Sequence, residues 1–412
     1  MYQTKRVGHP LRLLFFICIL TALWMFSLYR VYGASSVVGI EEPNWQASSG
    51  ALPTLDTMQL NVAGDVHDIH IAATGEIIVS DYGAGEIWKV SADQKQYTRY
   101  HNLGPVENAA MDKTGRLWWV DGTDRIGSIA PNATVSTTWI ITSEEQVLLS
   151  SFAFDDDDQP WFAEGFGATS KLYQFNTTSN QLCSHVISGG VASNGLVYQN
   201  KQFWFIDWSK DRLVRFSPEQ KLITYWFLNF NSFVEGLTID KSGNLWWVDS
   251  NDESLNRFQP ASSQWQRFPL QVGKNPVRVA AGNSRIWYTE STSGTIGSLA
   301  ITATASITSL TSLTATVPFH CSTPLIEGTG VVTTSSGAIE WKSTTATVDP
   351  FAAWDVYRLP ESRKPWGIAV GQNFVWISDP KQQQLLRLHV KDDSDTPLSQ
   401  TTNVFLPLVS RN

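Results

Sequence analysis

Seven times along the chain, a short apolar or aromatic run closes on an acid. The copies are Ile78-Val79-Ser80-Asp81, Trp118-Trp119-Val120-Asp121, Trp161-Phe162-Ala163-Glu164, Trp204-Phe205-Ile206-Asp207, Trp246-Trp247-Val248-Asp249, Trp287-Tyr288-Thr289-Glu290 and Trp376-Ile377-Ser378-Asp379. Successive acids stand 40, 43, 43, 42, 41 and 89 residues apart. A period near 42 is what a four-stranded propeller blade requires. Apolar positions inside each unit do not recur at helical spacing. Residues 234–249 read as two strands around the turn Lys241-Ser242-Gly243-Asn244, where glycine supplies the positive φ of a tight hairpin. A third strand follows at Ser254–Phe258, a turn at Pro260 and a fourth strand at Gln264–Leu270. The expected fold is all-β: a single seven-bladed β-propeller over residues 36–392.

The last unit has a third strand at Leu385–Val390 but no clear fourth, whereas Leu55–Leu60 resembles the fourth strand of other units. The N-terminal strand is therefore expected to complete the last blade and remove an open edge. The 89-residue interval holds one repeat plus an insertion at about residues 302–353. We place the insertion between the third and fourth strands of blade six, with Trp354–Leu359 as the delayed fourth strand. Inside it, Gly330–Thr334 and Ala338–Lys342 read as a hairpin around Ser335-Ser336-Gly337. A degenerate eighth blade competes with this reading but has no Trp-rich strand ending in an acid.

Residues 1–35 stand apart from the repeat. Lys5, Arg6 and Arg12 precede an apolar run from Leu13 to Leu28, the pattern of a signal peptide or an uncleaved signal anchor, a transmembrane helix over residues 13–28. Either leaves the remainder outside the cytoplasm, secreted or held at the membrane. Residues 393–412 form a separate tail with an apolar end. Net charge is −8 and no basic block occurs, which argues against nucleic acid as a partner. Of three cysteines, Cys18 lies in the apolar run; Cys183 and Cys321 pair in an oxidising compartment or remain two separate thiols.

Pro365-Trp366-Gly367-Ile368-Ala369-Val370, Asn244-Leu245-Trp246-Trp247-Val248-Asp249 and Arg267-Phe268-Pro269-Leu270 resemble the repeat of the virginiamycin B lyase (streptogramin lyase) family. The resemblance runs over roughly residues 55–390, outside the insertion. It implies a lyase that opens a cyclic depsipeptide at its ester by elimination, using a divalent metal, usually Mg2+. A base removes the proton beside a carbonyl and the cation stabilises the developing enolate. The family places His and Glu for this at the inner ends of the last two blades. Here Val277 and Trp366 stand at the two His positions and Lys364 at a Glu position; only Asp379 keeps an acid. Val and Trp cannot abstract a proton, and Lys is a poor magnesium ligand.

The inner strands begin near His67, Glu107, Ser150, Ser193, Glu235, Val277 and Trp366, all expected around the mouth of the channel. His67, Asp68, Glu107, Glu235 and Trp366 are the candidate site residues there. His67, Glu107 and Glu235 are candidate ligands for a divalent cation, since hard cations favour oxygen-rich surroundings. The seven repeated acids read as acceptors for backbone N–H groups in the following turns. Asp155–Asp158 likewise reads as a solvated turn, and the remaining histidines as surface or strand residues. The repeated Trp read as blade packing, with Trp208 and Trp366 at mouth positions. Two functions fit: an exported propeller binding a small-molecule or surface ligand, or a metal-dependent lyase or lactonase-type enzyme with a site moved to His67, Glu107 and Glu235.

Overall fold

The computed structural model describes residues 53–390, apart from stretches at 61–64, 142–146, 165–169, 188–194, 208–209, 229–233, 271–274, 323–325, 352, 361–362 and 372. The N-terminal segment (1–35), including the expected anchor at 13–28, and the tail (393–412) lie outside the described residues. The described residues form strands and no helix, arranged in seven five-stranded sheets. Each sheet is one blade, and its first four strands follow the repeat. In blade 5 these are Val234–Ile239, Leu245–Asp249, Ser254–Gln259 and Gln264–Pro269, within a residue or two of the sequence expectation.

The ring closes as expected. Thr54–Gln59 pairs with Gln384–His389 in the register Leu55↔Leu388 and Gln59↔Gln384, so the N-terminal strand completes blade 7. Trp354–Arg358 pairs with Thr295–Ala300 as the delayed fourth strand of blade 6. No eighth blade forms among the described residues.

The insertion, in contrast, is not a local hairpin. It runs once around the whole ring and adds an outermost fifth strand to every blade. Ile307–Ser309 pairs on blade 5, Ser312–Thr316 on blade 4, and Phe319–Ser322 on blade 3. Ile326–Val331 follows on blade 2, Thr333–Ala338 on blade 1, Lys342–Thr345 on blade 7 and Thr347–Phe351 on blade 6. Ser335-Ser336-Gly337 is therefore mid-strand, with Ser335 opposite Arg99, rather than a turn. The outer edge of each blade presents unpaired N–H and C=O groups, and the belt satisfies a row of them seven times over.

Between its strands the belt dips inward at the seams. Leu310, Val317, Val332 and Ala346 are buried, and Ile339 packs against the core beside them. Their N–H groups donate to the carbonyls of Ser263, Lys221, Thr134, Pro53 and, for Ile339, Lys95. Each acceptor is the residue just before a fourth strand. One apolar residue about every seven thus plugs a junction between blades; Leu310, for example, packs with Trp204, Trp226 and Phe258. Cys183 and Cys321, opposite each other on blade 3 and the belt, form a disulfide.

The repeated Trp are core residues, and Trp118, Trp119, Trp161, Trp246, Trp247, Trp287 and Trp376 are almost wholly buried. Three are tied by the same device. The indole Nε1 of Trp118, Trp161 and Trp246 donates to Asp112, Asp155 and Asp240, at 2.8, 2.8 and 2.9 Å. The other oxygen of each Asp accepts backbone N–H groups of the inner hairpin turn. This confirms Asp155–Asp158 as a turn. A carboxylate bonding both its turn and a buried indole fixes turn and strand together. Asp240→Ala is expected to cost about 3 kcal/mol in denaturant unfolding, since it orphans a buried donor and frees the turn. Packing also dictates Gly127, where a Cβ would fall 2.0 Å from the Trp119 ring.

Candidate ligand site at the channel mouth

The seven repeated acids are all buried. Asp81, Asp121, Asp249, Glu290 and Asp379 accept N–H bonds from the turns that follow, for instance from Ala84 at 2.9 Å and Thr123 at 2.8 Å. Asp207 holds Arg212. Asp379, the acid at the lyase position, also accepts from the Lys364 N–H at 3.2 Å and pairs with Arg363 at 3.4 Å. Five of the seven carboxylates thus shape turns, and the turn after Glu164 lies outside the described residues.

The mouth groups behave differently. His67 Nδ1 lies 3.4 Å from Glu107 Oε1, linking blades 1 and 2. Trp366 of blade 7 stacks on His67, with ring centroids 5.8 Å apart and planes 26° apart. Tyr82 stands 6.4 Å from His67 on another side. The Arg278 guanidinium of blade 6 lies 5.5 Å from the Trp366 ring centre. Asp68 is committed elsewhere: its carboxylate accepts from Asn108 and from the Ile69 N–H. Four consecutive blades, 6, 7, 1 and 2, thus present one arc of aromatic and charged groups.

The same arc is braced from behind. Thr289 Oγ1 donates to the Trp366 carbonyl at 2.6 Å, Ser378 Oγ to the His67 carbonyl at 3.1 Å and Ser80 Oγ to the Glu107 carbonyl at 3.3 Å. Each hydroxyl sits just before its blade's repeated acid and holds the first inner residue of the next blade. The other four repeats carry Val120, Ala163, Ile206 and Val248 there, and none of these can donate. Three adjacent seams are locked by hydroxyls, and these are the seams that present Trp366, His67 and Glu107.

Burial pushes the His67 pKa down, but the hydrogen bond and charge of Glu107 outweigh it, and the net shift is upward despite Arg278. Burial raises the Glu107 carboxyl; His67 and Arg278 more than offset this and hold it below the usual range. Each partner thus favours the charged form of the other. Among the described residues no group of three His, Cys, Asp or Glu could hold a metal ion. The structure brings together His67 and Glu107 of the expected metal set; the side chain of Glu235, like Trp208 and Ser193, lies outside the described residues. Magnesium of the lyase kind also finds no fit at the family positions. Val277 is buried, Lys364 is exposed and Trp366 stacks on His67.

Arg278, Tyr82 and the bracing hydroxyls Ser80, Thr289 and Ser378 escaped the sequence reading. Their signal was available for the hydroxyls: a polar residue before the acid in only three of seven repeats. Arg278 and Tyr82 gave none, since their relevance depends on which blades are neighbours. His70, His101, His185, His320 and His389 all lie in strands, as expected.

No protein-family profile and no curated protein matches the sequence. Solved structures do match its fold. Virginiamycin B lyase from Staphylococcus aureus aligns with a TM-score of 0.63 at 15% identity, covering 82% of this chain and 99% of that one. A catalytically inactive variant of that enzyme with quinupristin aligns at 0.62 and 16% identity, with 82% and 99% covered. A streptogramin B lyase aligns at 0.62 and 14% identity, with 82% and 98% covered. Across nearly the whole of those enzymes, the chain shares the seven-bladed fold of the virginiamycin B lyases.

Proposed function

We propose that this chain is an exported propeller that binds a small-molecule or surface ligand on one arc of its channel mouth, and that it does not run the lyase reaction. The observation that carries the proposal is the His67–Glu107–Trp366–Arg278 arc, braced by three hydroxyls at a repeat position where the other four repeats carry Val120, Ala163, Ile206 and Val248. Aromatic and charged groups held in place by hydrogen bonds favour binding, because little ordering entropy remains to be lost. The positions that would abstract a proton and hold a metal in the lyases carry Val277, Trp366 and Lys364. Export rests on the basic and apolar N-terminal pattern and on the Cys183–Cys321 disulfide, a bond that persists in oxidising compartments. Secretion or membrane anchoring through residues 13–28 follows from whether that segment is cleaved.

One observation favours a second reading, a lyase or lactonase-type enzyme with a moved site. His67 beside an orienting carboxylate is the geometry of a general base. The decisive assay incubates the protein with a streptogramin B-type cyclic depsipeptide, with and without magnesium. Elimination opens the ring without changing its mass, whereas hydrolysis adds one water. Products must therefore be followed by chromatography with fragment masses. We expect the ring to stay closed under both conditions. Ring opening that disappears in His67→Ala would replace the binding reading by the enzymatic one. A thermal-shift screen of small molecules tests the binding reading itself: hits should lose their shift in Trp366→Ala, and a screen with no such hit would sink it.

A further inference from the structure

At the other end of the inner strands, away from the mouth, a cavity of about 360 Å³ opens between blades 3 and 4. That volume lies in the range of small-ligand pockets. Trp161 and His185, with rings stacked at 5.2 Å and 26°, are among the residues that line it. The belt supplies an outer wall, Phe319, whose ring lies 4.8 Å from His185. Tyr198 completes the aromatic lining from blade 4.

The two rims carry opposite charge. On the blade 3 side the turn exposes Asp156 and Asp157. On the blade 4 side stand Lys201 and Lys221. Lys201 is taken by Glu219 at 2.9 Å. Lys221 Nζ lies 4.6 Å over the Phe319 ring and, among the described residues, pairs with no carboxylate. Asp155 is spent on Trp161 and its own turn, and the carboxylate of Asp157 accepts no hydrogen bond among the described residues, although its charge reaches Lys201. An anion and a cation thus stand on opposite rims of the cavity. At the cavity wall His185 is almost wholly buried, and neither ring nitrogen has a hydrogen-bond partner. Such unmet polar groups are rare and costly inside proteins. Burial and the charge of Lys221 push its pKa down to about 4, so at neutral pH the ring is uncharged and offers one donor and one acceptor.

We propose that this seam is a second ligand site, taking a small zwitterion with an aromatic ring, the chemical class of the aromatic α-amino acids. The ligand ring packs against the exposed ring of Phe319 at the cavity wall, its carboxylate meets Lys221, and its ammonium meets Asp157 with Asp156 beside it. An aromatic ring gains from stacking and edge contacts, and the ammonium gains further from nearby ring faces. The belt is part of the site, because Phe319 stands two residues from the disulfide cysteine that holds this strand to blade 3.

The test is calorimetric titration of the full chain with L-phenylalanine and L-tryptophan, alongside 2-phenylethylamine and 3-phenylpropanoate, which each keep one charge. The amino acids should bind saturably and at least tenfold more tightly than either single-charge analogue. Lys221→Met should weaken L-phenylalanine at least tenfold while leaving 2-phenylethylamine unchanged, and Asp157→Asn should do the reverse with 3-phenylpropanoate as the unchanged probe. Both side chains are exposed, so unaltered melting curves will show that the variants fold. Absence of saturable binding by either amino acid, single-charge analogues that bind equally well, or indifference to both substitutions would each overturn the proposal. None of these outcomes bears on the mouth site.

Discussion

Replacing Cys183 and Cys321 together by Ala is expected to lower the unfolding free energy by about 2–5 kcal/mol. The bond joins residues 138 apart in sequence, so it shortens the loop that the unfolded chain can explore. The chain-entropy account puts the ceiling for a loop of that size near 5 kcal/mol. The folded state loses as well. The disulfide pins the third of seven belt strands, and the belt caps blade edges that would otherwise be open. With the pin gone, Phe319–Ser322 is held mainly by backbone pairing, on a surface where Phe319 is exposed. Unpinned edge strands also invite pairing with other chains. Denaturant unfolding with and without reductant measures the effect. Reductant should destabilise the native protein by the same amount as the double substitution and leave the double variant unmoved. A native protein indifferent to reductant would show that the belt holds without its pin. Val332→Ala supplies a comparison within the belt, since deleting a buried plug at a seam should cost about 2 kcal/mol.

The second large effect is loss of stability in mild acid, on the order of 5 kcal/mol between pH 7 and pH 4. His70 and His185 are both almost wholly buried. Burial pushes His70 down to about 3, and burial with the nearby Lys221 pushes His185 down to about 4. In the unfolded chain both titrate near 6.5. Below pH 6.5 the unfolded state therefore binds two protons that the folded state refuses. Stability is full above pH 6.5 and falls as pH drops toward the folded values. With two such groups the slope approaches about 2.7 kcal/mol per pH unit between pH 5.5 and 4. His67 cannot cause this loss. Its folded pKa is raised, so its contribution is complete below 6.5 and disappears only as pH rises through the raised value. Measuring unfolding free energy against pH for the native protein and for His185→Phe separates the contributions. The phenyl ring retains the packing against Trp161, Phe216 and Phe319, and the slope should drop by about half. An unchanged slope in that variant would assign the protons elsewhere.

The blades were legible because everything that specifies them is local. Inner strands alternate or run apolar over four to six residues, glycine and Asx turns separate them, and the phrase returns every 42 residues or so. The N-terminal closing strand was legible for a related reason, since a repeat missing one strand must find it elsewhere. The belt strands carry little of this information. An outermost strand buries almost nothing on its outer face, so Ser312–Thr316 and Thr333–Ala338 are mostly exposed, and the second reads as part of a local hairpin. What locates the belt is one apolar residue about every seven, a spacing that matches neither helix nor strand and has meaning only against the girth of the ring.

The mouth divides in the same way. Sequence placed His67, Asp68, Glu107, Glu235 and Trp366 at the starts of inner strands, because position within a repeat is a matter of counting. Which of them meet depends on the order of blades around the axis and on side-chain direction at a shared rim. Tertiary structure joined His67 to Glu107 and Trp366, brought in Arg278 and Tyr82, and turned Asp68 toward Asn108. The sequence by itself determined the blade, its number of copies and the identity of each turn acid, since these rest on contacts among neighbours along the chain. Only the folded ring decided the path of the belt, the disulfide across it and the composition of the two candidate sites. Those rest on contacts between residues tens to hundreds of positions apart, for which a linear pattern carries no signal.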